Sequence, residues 1–115
     1  MTIDKDNQNG IMIYRPKGII DVYASQDLKE ILLGDIEEQK LHKIIIDLDR
    51  VLSLDSSALG VMVLIHSSMR TKGMVRYCNL HDDMIRQVAV AKMDKFLFID
   101  ETKAKSIEKI NEAGI

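Results

Sequence analysis

The sequence predicts an α/β fold: one domain over residues 1–115, with a mixed, mostly parallel sheet of about five strands and about four helices. Strand-like runs alternate with helix-like runs along the chain in the order β-β-α-β-α-β-α-β-α. Such alternation brings strands side by side through helical crossovers. The run Lys43-Ile44-Ile45-Ile46-Asp47-Leu48 has the β-branched density of a strand covered on both faces. Finally, 115 residues at 46% hydrophobic content are enough for one core.

Each element follows from local pattern. Met1 to Asn9 is polar and forms an N-terminal segment that can supply a first edge strand, with Asn9-Gly10 suited to a tight hairpin turn. Ile11-Met12-Ile13-Tyr14 reads as a strand that stops at Pro16 or lies at a sheet edge, because proline lacks the ladder donor. From Ser25 to Lys40, Leu28, Ile31, Leu32 and Ile36 recur at helical spacing, with Ser25 or Asp27 as candidate caps. A second helix, Ser57 to Thr71, is apolar nearly all round and should sit deep against the sheet. Gly73 is expected in a left-handed position after it. Met74 to Leu80 is a strand, and Asp82-Asp83 are expected to cap a helix reaching about Ala91. A short strand over Phe96 to Ile99 and a helix from Thr102 to Ile110 complete the chain.

Composition narrows the function. The 16 Lys and Arg against 18 Asp and Glu leave a net charge of −2, which argues against nucleic-acid binding through phosphate neutralisation. The longest apolar stretch, Ala58 to Ile65, is too short to span a bilayer, so no direct membrane insertion is expected. A lone cysteine, Cys78, and the polar start of the chain point to a cytoplasmic protein. Phosphate-loop, dinucleotide and nucleophile-elbow motifs are absent, and His42, His66 and His81 lack metal-site spacing. His66 and Cys78 read as packed side chains, so neither a metal nor a cofactor is expected.

One segment stands apart: Leu54-Asp55-Ser56-Ser57-Ala58-Leu59-Gly60 follows a buried strand and opens the most apolar helix. Its carboxylate and two hydroxyls meet the positive end of a helix dipole, in the region where open α/β sheets place their sites. Capping alone explains one such residue. Three in a row invite a second explanation.

The Asp55-Ser56-Ser57-Ala58-Leu59-Gly60 run resembles the signature of the STAS domain, in the bacterial anti-sigma factor antagonist family. Gly18-Ile19-Ile20-Asp21, Ile44 to Leu48, Lys72-Gly73 and Met93-Asp94-Lys95-Phe96 are similar to further family elements in the same order, so the likeness spans roughly Ile11 to Ile110. Ala58 departs from the family's glycine and adds a methyl group beside Ser56. Lys92 stands where the family often has glycine, and Val22-Tyr23 is bulkier than common.

The resemblance implies that Ser56 is phosphorylated by a partner and is not a catalyst. That partner would be an anti-sigma factor that is also a serine protein kinase and brings its own ATP. A phosphoserine phosphatase is a second candidate partner. Asp21 would lie near the phosphorylation site, with a turn residue as its plain alternative, and Ser57 would act as a second cap or positioning hydroxyl. Asp55, Ala58, Leu59 and Gly60 complete the expected surroundings. Two other readings stay open. A response-regulator receiver would use Asp49 or Asp55 as phosphoacceptor with magnesium, although Arg15-Pro16-Lys17 replaces the acidic pair that chemistry needs after the first strand. A regulatory subunit of a transporter or stress-signalling complex would keep the fold and change the partner.

Overall fold

The computed structural model describes all residues, Met1 to Ile115. Its elements are β1 (Ile3–Gln8), β2 (Ile11–Pro16), β3 (Gly18–Ile20), α1 (Val22–Gln39), β4 (Lys43–Asp47), β5 (Val51–Leu54), α2 (Ser56–Met69), β6 (Met74–Cys78), α3 (Asp82–Val90), β7 (Ile99–Asp100) and α4 (Lys103–Glu112). The main sheet has the order β1-β2-β4-β6-β7, antiparallel only between β1 and β2. A separate two-stranded parallel sheet pairs β3 with β5.

The β4 run explains the layering. Ile44 and Ile46 face one core with Tyr14, Val75 and Tyr77, and there they meet the apolar faces of α1, α2 and α3. Ile45 points the other way and packs with Ile11, Ile13, Cys78 and Ile110, covered by α4. Alternation at a period of two thus fills both sides of a central strand. Pro16 ends β2 beyond its pairing with β4, which spans only Met12 to Tyr14, so the missing donor removes no bond from that ladder. None of the helices is long and apolar enough to cross a membrane.

A buried polar group ties α4 to the sheet. Asp100 ends β7, accepts from Arg76 Nε at 2.6 Å and Nη2 at 3.0 Å, and accepts from Ser106 Oγ at 2.7 Å. Arg76 also lies over the Phe98 ring at 4.8 Å. Burial opposes the charge on Asp100, yet the Arg76 and Ser106 bonds outweigh it and hold the carboxyl below the usual carboxylate range. Cys78 is fully buried, and burial with the Asp47 charge pushes its thiol up to about 12. His66 is buried and packs against Phe96 in a tilted arrangement and against Phe98 edge-on, with centroids 4.8 and 5.2 Å away. Its pKa is lowered by that burial and by Arg70.

Several local expectations need correction. Gly73 does not have positive φ; instead, a Cβ there would collide with the His42 carbonyl, so the glycine serves close backbone approach at the start of β6. The left-handed positions belong instead to Lys40 and Lys92, among others. At Lys92 (φ 59°) α3 ends with Lys92 N–H donating to Ala89 and Met93 N–H to Val88. This pairing closes a helix in which glycine is the usual occupant, because L side chains are strained there. His81, not Asp82 or Asp83, occupies the α3 cap position and makes no side-chain cap bond; the two aspartates lie in the first turn and favour the helix dipole. The last strand is Ile99–Asp100, because Phe96 and Leu97 turn back onto Met93. Finally, the β3–β5 pair is an addition to the expected strands, and it positions the start of α2.

Candidate functional site

The site is built by the small β3–β5 sheet. In its parallel register Ile20 lies beside Leu54, and Asp55 N–H donates to the Ile20 carbonyl at 3.2 Å. The next residue on each strand, Asp21 and Asp55, therefore begins a helix next to the other. Both are N-caps in extended backbone. Asp21 Oδ1 accepts from Tyr23 N–H at 3.1 Å and Ala24 N–H at 2.9 Å, which places the α1 cap four residues before Ser25 and six before Asp27. Ser25 is buried inside the helix and its Oγ donates to the Val22 carbonyl. The apolar pattern hid this first turn because Val22 and Tyr23 are exposed, Tyr23 by 80%.

Asp55 caps α2. Its Oδ1 accepts from Ser57 Oγ at 2.5 Å and from Ala58 N–H at 3.0 Å. The Ser57 hydroxyl, with the Ala58 amide second, holds the Asp55 carboxyl below the usual carboxylate range. The two serines therefore differ. Ser57 is half-buried and engaged, whereas Ser56 is exposed and its hydroxyl makes no hydrogen bond within the protein. One reads as a positioning hydroxyl and the other as an available one.

Beside Ser56 runs a shallow groove of about 560 Å³ between α2 and α3, lined by Ser56, Leu59, Asp83, Arg86, Gln87 and Val90, among others. Gln87 Nε2 donates to the Leu54 carbonyl at 2.9 Å and so pins α3 beside the start of α2. Ile19, Val22, Tyr23 and Leu52, on the β3–β5 pair and in the first turn of α1, are exposed apolar residues. Sequence reasoning missed both features: exposed apolar residues break the core-facing period, and the α3 residues join the site only through tertiary packing.

The remaining segment residues divide by side. Ala58 is 1% exposed, so its methyl group faces the core and does not lie on the surface beside Ser56. Leu59 is buried but still lines the groove. Gly60 is exposed, and a Cβ there would meet nothing within 4 Å. In a helix interior glycine is worse than alanine by about 0.5–1 kcal/mol. Gly60→Ala is therefore expected to raise unfolding free energy by about that amount, read as a higher urea midpoint at unchanged slope. A lower midpoint would show that something occupies the space above Gly60.

Residues 2–107 match a family model described as STAS domain. Among solved structures, protein TM1081 of Thermotoga maritima aligns with a TM-score of 0.89 at 20% identity, covering 95% of this chain and 94% of that one. An anti-sigma factor antagonist from Mycobacterium paratuberculosis aligns at 0.88 and 15% identity, covering 96% and 93%. The anti-sigma factor antagonist SpoIIAA, a Bacillus cell fate determinant, aligns in its unphosphorylated form at 0.73 and 18% identity, covering 96% and 98%. At such identities the structural likeness establishes the fold alone.

Proposed function

This chain belongs to the STAS domain family, and from that premise we propose that it is an anti-sigma factor antagonist switched by phosphorylation of Ser56. The supporting observation is the split between the two serines. Ser56 offers a free, exposed hydroxyl at the first position of α2, while Ser57 is spent on Asp55. SpoIIAA, which shares the fold, exists in unphosphorylated and phosphorylated forms.

In the unphosphorylated state the apolar surface of Ile19, Val22, Tyr23 and Leu52 and the groove beside Ser56 form one docking face for an anti-sigma factor that is also a serine kinase. Phosphoryl transfer then breaks the bond between the γ-phosphorus of the kinase's ATP and the ADP oxygen. A bond forms to Ser56 Oγ, and the hydroxyl proton leaves to the kinase. The product carries about −1.5 to −2 charges beside Asp21 and Asp55. Desolvating that cluster against a partner is unfavourable, so the complex separates. Both helix N-termini favour negative charge, and the fold survives the change.

The receiver alternative is weaker here, because Asp55 is held as the cap of α2 by the Ser57 hydroxyl and the Ala58 amide. The test is phosphate mapping of this protein isolated from its native cells across growth conditions. Phosphate on Ser56 that rises and falls with condition supports the switch. Phosphate on an aspartate would favour the receiver, and an unmodified chain throughout would leave Asp55 and Ser57 as a helix cap only.

A further inference from the structure

A phosphoryl group on Ser56 would enter a groove that already holds a cation. Arg86 is the one cationic residue lining it, on the α3 face that also carries Asp83, Gln87 and Val90. The Gln87 bond to Leu54 fixes this stretch of α3 next to the start of α2. Arg86 is 70% exposed at its side chain and paired only with Asp83, one turn earlier on the same helix. Exposed pairs of that kind are weak and exchange readily. A phosphate offers more charge and three acceptor oxygens, and it suits the planar guanidinium fork.

We propose that Arg86 receives the phosphate on Ser56, its guanidinium leaving Asp83 to bind the phosphoryl oxygens across the α2–α3 groove. This rests on the reading of Ser56 as the phosphorylated residue. No covalent step is involved; Arg86 exchanges one ion pair for another. The exchange has two consequences. Phosphorylation links α3 to α2, and it frees the Asp83 carboxylate, which extends the acidic surface away from Ser56. The modification thus alters a wider part of the docking face than its own volume covers.

The full chain made with phosphoserine at position 56, inserted during synthesis, tests this without any kinase. The second ionisation of the phosphate is followed by phosphorus NMR. Of the charged groups around it, Asp83 and Arg86 on α3 line the groove with Ser56, Asp55 precedes it as the α2 N-cap, and Asp21 caps α1 at the end of the paired strand. With Arg86 bound, Arg86→Ala should raise that pKa by about half a unit. Arg86→Lys should give an intermediate rise, since lysine keeps the charge and loses the fork. Asp83→Asn should lower it, because a competitor for Arg86 is removed. An unchanged phosphate pKa in Arg86→Ala, with circular dichroism unchanged, overturns the proposal. A Ser56 found unphosphorylated in cells would overturn the switch while leaving this titration intact, so the two failures are separable.

Discussion

Ser56→Asp should bind the kinase partner more than a hundredfold more weakly than wild type, while Ser56→Ala should bind with unchanged affinity and resist switching. The first figure corresponds to about 3 kcal/mol, the order of leaving one charge desolvated and unpaired at an interface. Ser56 directly follows the N-cap Asp55, and strand pairing brings the end of β3, where Asp21 caps α1, alongside; both carboxylates are already engaged with helix amides. Those amides cannot be redirected to a new charge without uncapping a helix. The added carboxylate must then be stripped of water with only Arg86 near it, and Arg86 has Asp83 as a competitor. The fold itself should not suffer, because an acidic residue in the first turn of α2 suits the helix dipole. The measurement is titration calorimetry against the partner captured by Ser56→Ala, with thermal melts of all three chains. Binding of Ser56→Asp within threefold of wild type would remove the charge mechanism. A melt lowered by many degrees would mean that the loss came from unfolding.

The second large effect concerns stability. Asp100→Ala should reduce the unfolding free energy by about 3–5 kcal/mol, since it strands Arg76 nearly buried and deprives Ser106 of its acceptor. Against a total of about 5–15 kcal/mol for a domain of this kind, that is a substantial fraction. A loss below about 1 kcal/mol would mean that the pair behaves like a surface ion pair. The pH dependence has a defined sign. The Asp100 carboxyl is held below its unfolded value, so its contribution is fully present above about pH 4 and is lost as pH falls through the folded pKa. Urea midpoints of wild type and Asp100→Asn should therefore differ at pH 6 and converge in acid. A gap that persists unchanged to pH 2.5 would assign the effect to packing.

The helices and the central strand were legible because their signals are local. Leu28, Leu32 and Ile36 repeat within a turn of one another, and all three are buried. The Asp55-Ser56-Ser57 start of α2 was readable for the same reason, since capping chemistry works over three residues. The strands β3 and β5, at 3 and 4 residues, carry too little pattern to register as strands, and Ile19, Leu52 and Ser53 on them are exposed. The first turn of α1 was lost because its apolar residues face solvent. The role of Gly73 is not legible in sequence, because a left-handed residue and a glycine required by a neighbouring carbonyl look identical in one dimension.

The α/β alternation, the buried β4, the apolar α2 and the singular Asp-Ser-Ser start of that helix are all written in the residue order. Packing between distant segments is what brings the Asp21 end of β3 beside the Asp55 end of β5, sets Arg86 in a groove with Ser56, and joins Asp100 to Arg76 and Ser106. The division has a physical cause. Helix periodicity and capping arise from backbone hydrogen bonds a few residues apart, so they are written where they act. A site assembled from two N-caps and a facing helix depends on strand pairing and side-chain packing between distant segments, which exist only once the chain has collapsed around one core.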